Sequence, residues 1–204
     1  MLTRTQDAPP ERAVAGEARK GYGLLVVGVE RAVDPEGGFH EDVARVAAGF
    51  QGPLAIAVAR GLHVDHPPDA DLRILIPITG TEVSRRGAEV GLALARATNA
   101  PVTALYVAGA AAKAARRRLG GSRRGGEEIL RHIVGLAERH GVPLRTAMRV
   151  DLAAEDAILR QARLGGHNLI VMGVTRRPGE GLSFGDVATA VLESSERSIL
   201  FVAS

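Results

Sequence analysis

Several groups of side chains in this sequence have the types and spacing to do chemistry. Arg176-Arg177 stand in a glycine-containing stretch, 175–183, that reads as a loop. Two guanidinium forks there suit a phosphate or an acidic nucleotide, and the plainer reading is a solvated loop pair. Lys113, Arg116, Arg117, Arg118, Arg123 and Arg124 form the densest basic cluster. It has the charge for anionic lipid headgroups or nucleic acid. No aromatic residue stands beside it to stack on a base, so a solvated insertion is the better reading. His63-Val64-Asp65-His66, with Asp69 and Asp71, offers imidazole and carboxylate ligands for a metal. These residues lie in a polar, Pro67-Pro68-containing linker without a rigid scaffold, so no metal site is expected. Gly181-Leu182-Ser183-Phe184-Gly185 has the outline of a hydrolase nucleophile elbow. That motif belongs directly after a strand, and here no histidine follows it. No catalytic residue is therefore assigned, and the chain reads as a non-enzyme.

Composition narrows the classes further. The 204 residues are 46% hydrophobic and only 3% aromatic, without Trp, so the core must be Ala, Val, Leu and Ile. Stacking platforms for single strands are then nearly excluded, and no nucleic-acid partner is expected. Cysteine is absent, which removes disulfides, thiolate zinc sites and Cys nucleophiles. A formal net charge of +3 is too mild to demand a polyanionic partner. No apolar run approaches the ~18 residues of a membrane span. The first 20 residues mix charges with Ala and Pro and lack the apolar stretch of a secretory signal. A cytoplasmic chain is the expectation.

The elements that must position any site follow from periodicity. Residues 1–20 read as a leader, 21–60 as strand–helix–strand, and 61–71 as a linker. Leu24–Val29 reads as a strand buried on both faces, residues 41–50 as a helix, and Leu54–Ala59 as a second strand. Residues 72–204 alternate regularly. Strands are predicted at 72–78, 102–107, 144–150, 169–174 and 199–203. Helices are predicted at 81–98, 127–140, 153–164 and 184–194, the first opened by a Thr79…Glu82 capping pair and the second ended by Gly141. Such alternation implies a parallel sheet with right-handed crossovers.

An internal repeat organises the whole chain. Gly23–Val29 matches Asn168–Val174, Phe39 matches Phe184, and Asp42-Val43-Ala44 matches Asp186-Val187-Ala188 after a one-residue slip. On that slipped register Ala55–Ala59 matches Ile199–Ala203. Residues 21–60 thus repeat the last part of the unit that comes after them. Strand 24–29 should then lack a neighbour on one side, leaving an apolar edge that something must cover. This arrangement suggests a fragment of a longer protein, or a short chain that dimerises.

Residues 72–204 resemble a universal stress protein domain. The resemblance rests on Leu72–Thr81 (LRILIPITGT), Ala157–Ala162, His167–Gly173 (HNLIVMG) and Ser198–Ser204. More narrowly, residues 78–90, 155–180 and 21–45 resemble the cytoplasmic tails of bacterial monovalent cation/proton antiporters, where two such units stand in series. The resemblance implies a doubly wound α/β fold of the adenine nucleotide alpha hydrolase-like type, with a five-stranded parallel sheet of order 3-2-1-4-5. It also implies a nucleotide crevice beyond strands 1 and 4, where such sheets bind ligands.

ATP-binding members carry glycines after strand 4 that let backbone N–H groups approach phosphate, followed by Ser or Thr at a helix start. Here Gly173 and Gly185 fit, whereas Arg176 replaces a glycine, Asp186 replaces Ser or Thr, and Thr79 stands where an Asp is usual. The implied candidate site is Pro77, Thr79, Gly173, Arg176, Arg177, Gly185 and Asp186, with ATP or another adenine nucleotide as its ligand. The half repeat carries Arg31, His40 and Glu41 at the matching places. The expected function is regulatory or sensory, in the stress response, with a degraded nucleotide site. A stand-alone ATP-binding stress protein and a dimerisation module are the alternatives. The expected partners are a second copy, in a homodimer, and an antiporter membrane domain tethering the chain to the inner face of the membrane.

Overall fold

A computed structural model describes residues 23–29, 50, 52–65, 71–107, 122–177, 181–183 and 185–203. The whole leader and the predicted helix at 41–50, apart from Phe50, lie outside the described residues, as do Arg31, His40 and Glu41. The described strands are β1 (Leu25–Val29), β2 (Leu54–Val58), β3 (Ile74–Ile78), β4 (Val102–Val107), β5 (Leu144–Arg149), β6 (Leu169–Arg177), β7 (Gly181–Ser183) and β8 (Ser198–Ala203). The helices are α1 (Leu62–Asp65), α2 (Glu82–Thr98), α3 (Ser122–His140), α4 (Ala154–Leu164) and α5 (Gly185–Ser194).

The main sheet runs β1-β2-β8-β6-β3-β4-β5. Its part from β8 to β5 is the expected 3-2-1-4-5 arrangement, parallel throughout. The strands of this part are apolar because both faces are covered: α2 and α3 pack on one, α4 and α5 on the other. The sheet does not stop at β8. β2 adds to it antiparallel, pairing Leu54 with Ala203 and Val58 with Ile199, and β1 follows parallel to β2.

The pairing corrects the repeat. β1 and β2 pair Leu25 with Leu54, and β6 and β8 pair Ile170 with Ile199. The offset is 145 in both strands (170 − 25 and 199 − 54), so Leu54–Val58, not Ala55–Ala59, matches Ile199–Ala203. The one-residue slip would turn every β2 side chain to the wrong face. Ile56 pairs with Phe201, its own repeat counterpart, so a local two-fold axis passes through that pair and relates β1-β2 to β6-β8.

Other expectations change in detail. β1 is not buried on both faces: Leu25, Val27 and Val29 pack on the core, while Val26 is 59% exposed. Helix α2 is capped by Thr81, whose hydroxyl accepts from the Ser84 N–H at 3.2 Å, rather than by Thr79 with Glu82. Helix α3 begins at Ser122, so Arg123 and Arg124 belong to a helix and not to a loop. Lys113 and Arg116–Arg118 lie outside the described residues. Gly141 ends α3 at φ +67°, as its position predicts.

Within 61–71, read as linker, Leu62–Asp65 forms a helical turn anchored to β8. The Ser198 hydroxyl accepts from the Arg60 N–H at 2.9 Å and lies 2.7 Å from His63 Nδ1. No group of three or more metal-ligating side chains occurs among the described residues, and His66 and Asp69 of the sequence cluster are outside them.

Candidate functional site

The crevice opens where β3 and β6 part, and Pro77 marks the place. The Ile74 N–H donates to Pro101 on the β4 side, and the Arg73 carbonyl accepts on the β6 side. By strand alternation, residue 77 would donate toward β6. Proline has no N–H to donate. The β3–β6 pairing ends at Leu75 and Ile170, one donor short of Pro77, whereas β3–β4 pairing continues through Ile78. The two strands are thereby free to separate at their carboxyl ends. Pro77 itself is buried, and its missing N–H opens the crevice.

One wall is Thr79-Gly80-Thr81. The Thr79 hydroxyl is exposed, 3.1 Å from that of Thr81, and the Thr79 N–H reaches the Ser84 hydroxyl at 3.4 Å. Gly80 turns the chain at φ +85°, and a Cβ there would lie 2.5 Å from Ile129. Beside this wall, between the first turn of α2 and α3, is a cavity of about 330 Å³. Glu82, Glu128, Arg85 and His132 line it with Ile78 and Ile129, a mixed lining that favours neither sign of charge.

The other wall is β6 with the segment leading from it into α5. Gly173 is a glycine for packing. A Cβ on it would sit 2.0 Å from the Val83 carbonyl oxygen, and one on Gly87 would sit 2.7 Å from the Gly173 nitrogen. The first turns of α2 therefore press on the β6 backbone through paired glycines. Stretch 175–183 is not an open loop. β6 continues through Arg177 and pairs antiparallel with β7, Thr175 with Ser183 and Arg177 with Gly181. Arg176 and Arg177 are thus carried on a β-hairpin, a feature that their Gly and Arg content did not reveal. Gly185 begins α5 at φ +69°, a conformation that favours glycine, and Asp186 is exposed in the first helical turn.

The structure places Pro77, Thr79 and Gly173 on or just after the carboxyl ends of adjacent strands, and Gly185 and Asp186 at the helix start beyond β6. The Ser198–His63 pair is at the opposite, amino-terminal end of β8. Ser198 is buried, and its hydroxyl also contacts the Arg60 carbonyl at 3.2 Å, so it clamps the segment after β2 to β8. Burial holds the His63 pKa below its ordinary value, consistent with a neutral ring in this clamp.

The profile of the universal stress protein family matches residues 72–203, the span of the complete unit. The chain belongs to the universal stress protein family. A curated universal stress protein of Methanocaldococcus jannaschii is 30% identical over 138 residues, which cover 64% of this chain and 81% of that protein. A universal stress protein structure from Archaeoglobus fulgidus in complex with dAMP is similar to 64% of this chain and 97% of its own, at 18% identity and a TM-score of 0.52. A second structure from Archaeoglobus fulgidus DSM 4304 covers 94% of this chain, more than the complete unit alone, and 65% of its own length. Its TM-score is 0.62 at 13% identity. No helix among the described residues is long and apolar enough to cross a membrane.

Proposed function

We propose that this chain is a non-catalytic regulatory unit of the universal stress protein family, working in the cytosol, with a crevice altered away from triphosphate binding. The observation that supports this most is the hairpin after Val174. Backbone that a phosphate would need is laddered instead between Arg176 and Leu182. Asp186 adds a carboxylate to the helix start that would otherwise receive an anion. Thr79 offers only a hydroxyl opposite it. An adenine nucleotide with fewer phosphates, such as the dAMP in the Archaeoglobus fulgidus complex, is the better candidate ligand.

Calorimetry with ATP, AMP and cyclic dinucleotides tests this. ATP should not bind at micromolar concentration, and Asp186→Ser should raise ATP affinity about tenfold by removing one like charge. Micromolar ATP binding with phosphate release by the unaltered protein would instead make it an ATP-using stress protein. Gly173→Ala is not a clean probe, because Gly173 holds α2.

Attachment to a cation/proton antiporter is a finer proposal, supported by the resemblance of residues 21–45, 78–90 and 155–180 to such tails. Sequencing in frame upstream of Met1 decides it. Repeated apolar segments of about 20 residues support the attachment, and a stop codon without them excludes it. A homodimer is proposed only through a surface other than the outer edge of β8, since β2 occupies that edge. Sedimentation at rising concentration measures it.

A further inference from the structure

The local two-fold axis through Ile56 and Phe201 maps β6 onto β1, yet the two strands have different surroundings. β6 has β3 on its far edge and α2 across one face. Among the described residues, β1 has neither. Val171 is fully buried, close to Gly91 of α2, whereas its counterpart Val26 is 59% exposed. A Cβ on Gly173 would strike the Val83 carbonyl, whereas one on Gly28 meets nothing within 4 Å among the described residues. Above this face lies an apolar groove of about 470 Å³. Leu24, Val26, Ala55 and Ala57 form its floor, with Val90 and Leu94 of α2 as one wall.

We propose that this groove and the free edge of β1 seat the front half of a second universal stress protein unit. The occupant is a β-strand parallel to β1, followed by an amphipathic helix with small residues on its buried face, of the chemistry of β3 and α2. The axis carries α2 onto the groove and β3 onto the edge of β1 that is unpaired among the described residues. Edge and groove are thus the two places where a single βα segment would bind together. The segments of this chain flanking β1 are poor occupants. Glu11, Ala13, Ala18, Arg19 and Gly21 match Glu155, Ala157, Ala162, Arg163 and Gly165 of α4 and its end, and Asp42-Val43-Ala44 matches α5. α4 and α5 cover the opposite face of the sheet. A second copy is also a poor occupant, because its own β3 and α2 are already packed. The Archaeoglobus fulgidus structure that covers 94% of this chain extends beyond the match by about a third of its own length, room for such a half unit.

The test uses the full chain with and without an added N-terminal copy of residues 71–150, which hold β3, α2, β4, α3 and β5. The Leu25 N–H donates to Pro53 on β2, so alternation points the Val26 and Gly28 amides to the free edge. The added segment should slow hydrogen exchange at those two amides about tenfold or more. It should also raise the melting temperature and reduce binding of an apolar dye. Gly28→Val should leave the unextended chain unchanged and abolish all three gains in the extended one, because the seated helix needs the space that Gly173 leaves for α2. Unchanged exchange at Val26 and Gly28 in the extended chain would overturn the proposal. So would protection of these amides in the unextended chain, which would assign the edge to a second copy if it grew with concentration, and to the flanking segments if it did not.

Discussion

β1 and β6 carry related sequences in the same sheet, and their surroundings differ. LVVGV at 25–29 and IVMGV at 170–174 have the same pattern. β6 is central, and among the described residues β1 is the sheet edge. The same glycine is a packing necessity in one and open surface in the other. The difference teaches that a strand's apolar pattern states what it can bury, and that its neighbours decide how much is buried.

Substitutions at matched positions sharpen this contrast. Gly173→Val should cost about 3 kcal/mol or more, since its side chain must displace the backbone of α2 at Val83. Gly28→Val should stay within about 0.5 kcal/mol. Chemical denaturation of both variants measures the gap, and equal losses would break the comparison. Val171→Ala should cost about 2 kcal/mol and Val26→Ala under about 0.5 kcal/mol, because only Val171 leaves a cavity.

A smaller effect distinguishes the ends of the two strands. His167, just before β6, is buried, and neither ring nitrogen has a hydrogen-bond partner among the described residues. Burial first, then the charges of Arg145 and Arg73, hold its pKa below the ordinary value. The folded state therefore prefers the neutral ring. As pH falls below about 6.5 the unfolded chain takes up the proton first, and stability is lost down to the lowered folded pKa. Tyr22 holds the matching position before β1, so no such loss arises there. His167→Gln should flatten the slope of unfolding free energy between pH 7 and pH 5. A slope that survives the substitution assigns the titration elsewhere.

A more local effect lies at the joint between the two copies. Ser198→Ala removes the hydroxyl that holds Arg60 and His63 against β8, at a cost of about 1 kcal/mol. Hydrogen exchange should quicken in β2 and hardly change in β3 and β4. Uniform loosening of the whole sheet would contradict a joint of this kind.

Much of this molecule is legible in its residues. The alternation of apolar runs with amphipathic helices, and capping signals such as Gly141, specify the strands and helices of the five-strand unit, because periodicity is a local property; their order, 3-2-1-4-5, is what the resemblance of residues 72–204 to universal stress proteins implies. The crevice follows from that order, and with it the neighbourhood of Thr79, Gly173 and Gly185. The register of the repeat is not legible in the same way, because loops absorb insertions, and only the ladder Leu54–Ala203 to Val58–Ile199 sets it. The Arg176-Arg177 hairpin is hidden in the sequence because Gly and Pro mark a reversal of the chain without stating whether its arms pair.

What the sequence determined by itself was the alternating α/β class, since that depends on side-chain types and their spacing along one chain, while the candidate crevice residues came with the family resemblance. What only the tertiary structure decided was the use of each residue. Gly173 proved to be a seat for α2, Pro77 the break that lets β3 and β6 part, and His63 a clamp on β8. Those roles arise between residues far apart along the chain, where close packing and hydrogen-bond alternation, not local preference, set the outcome.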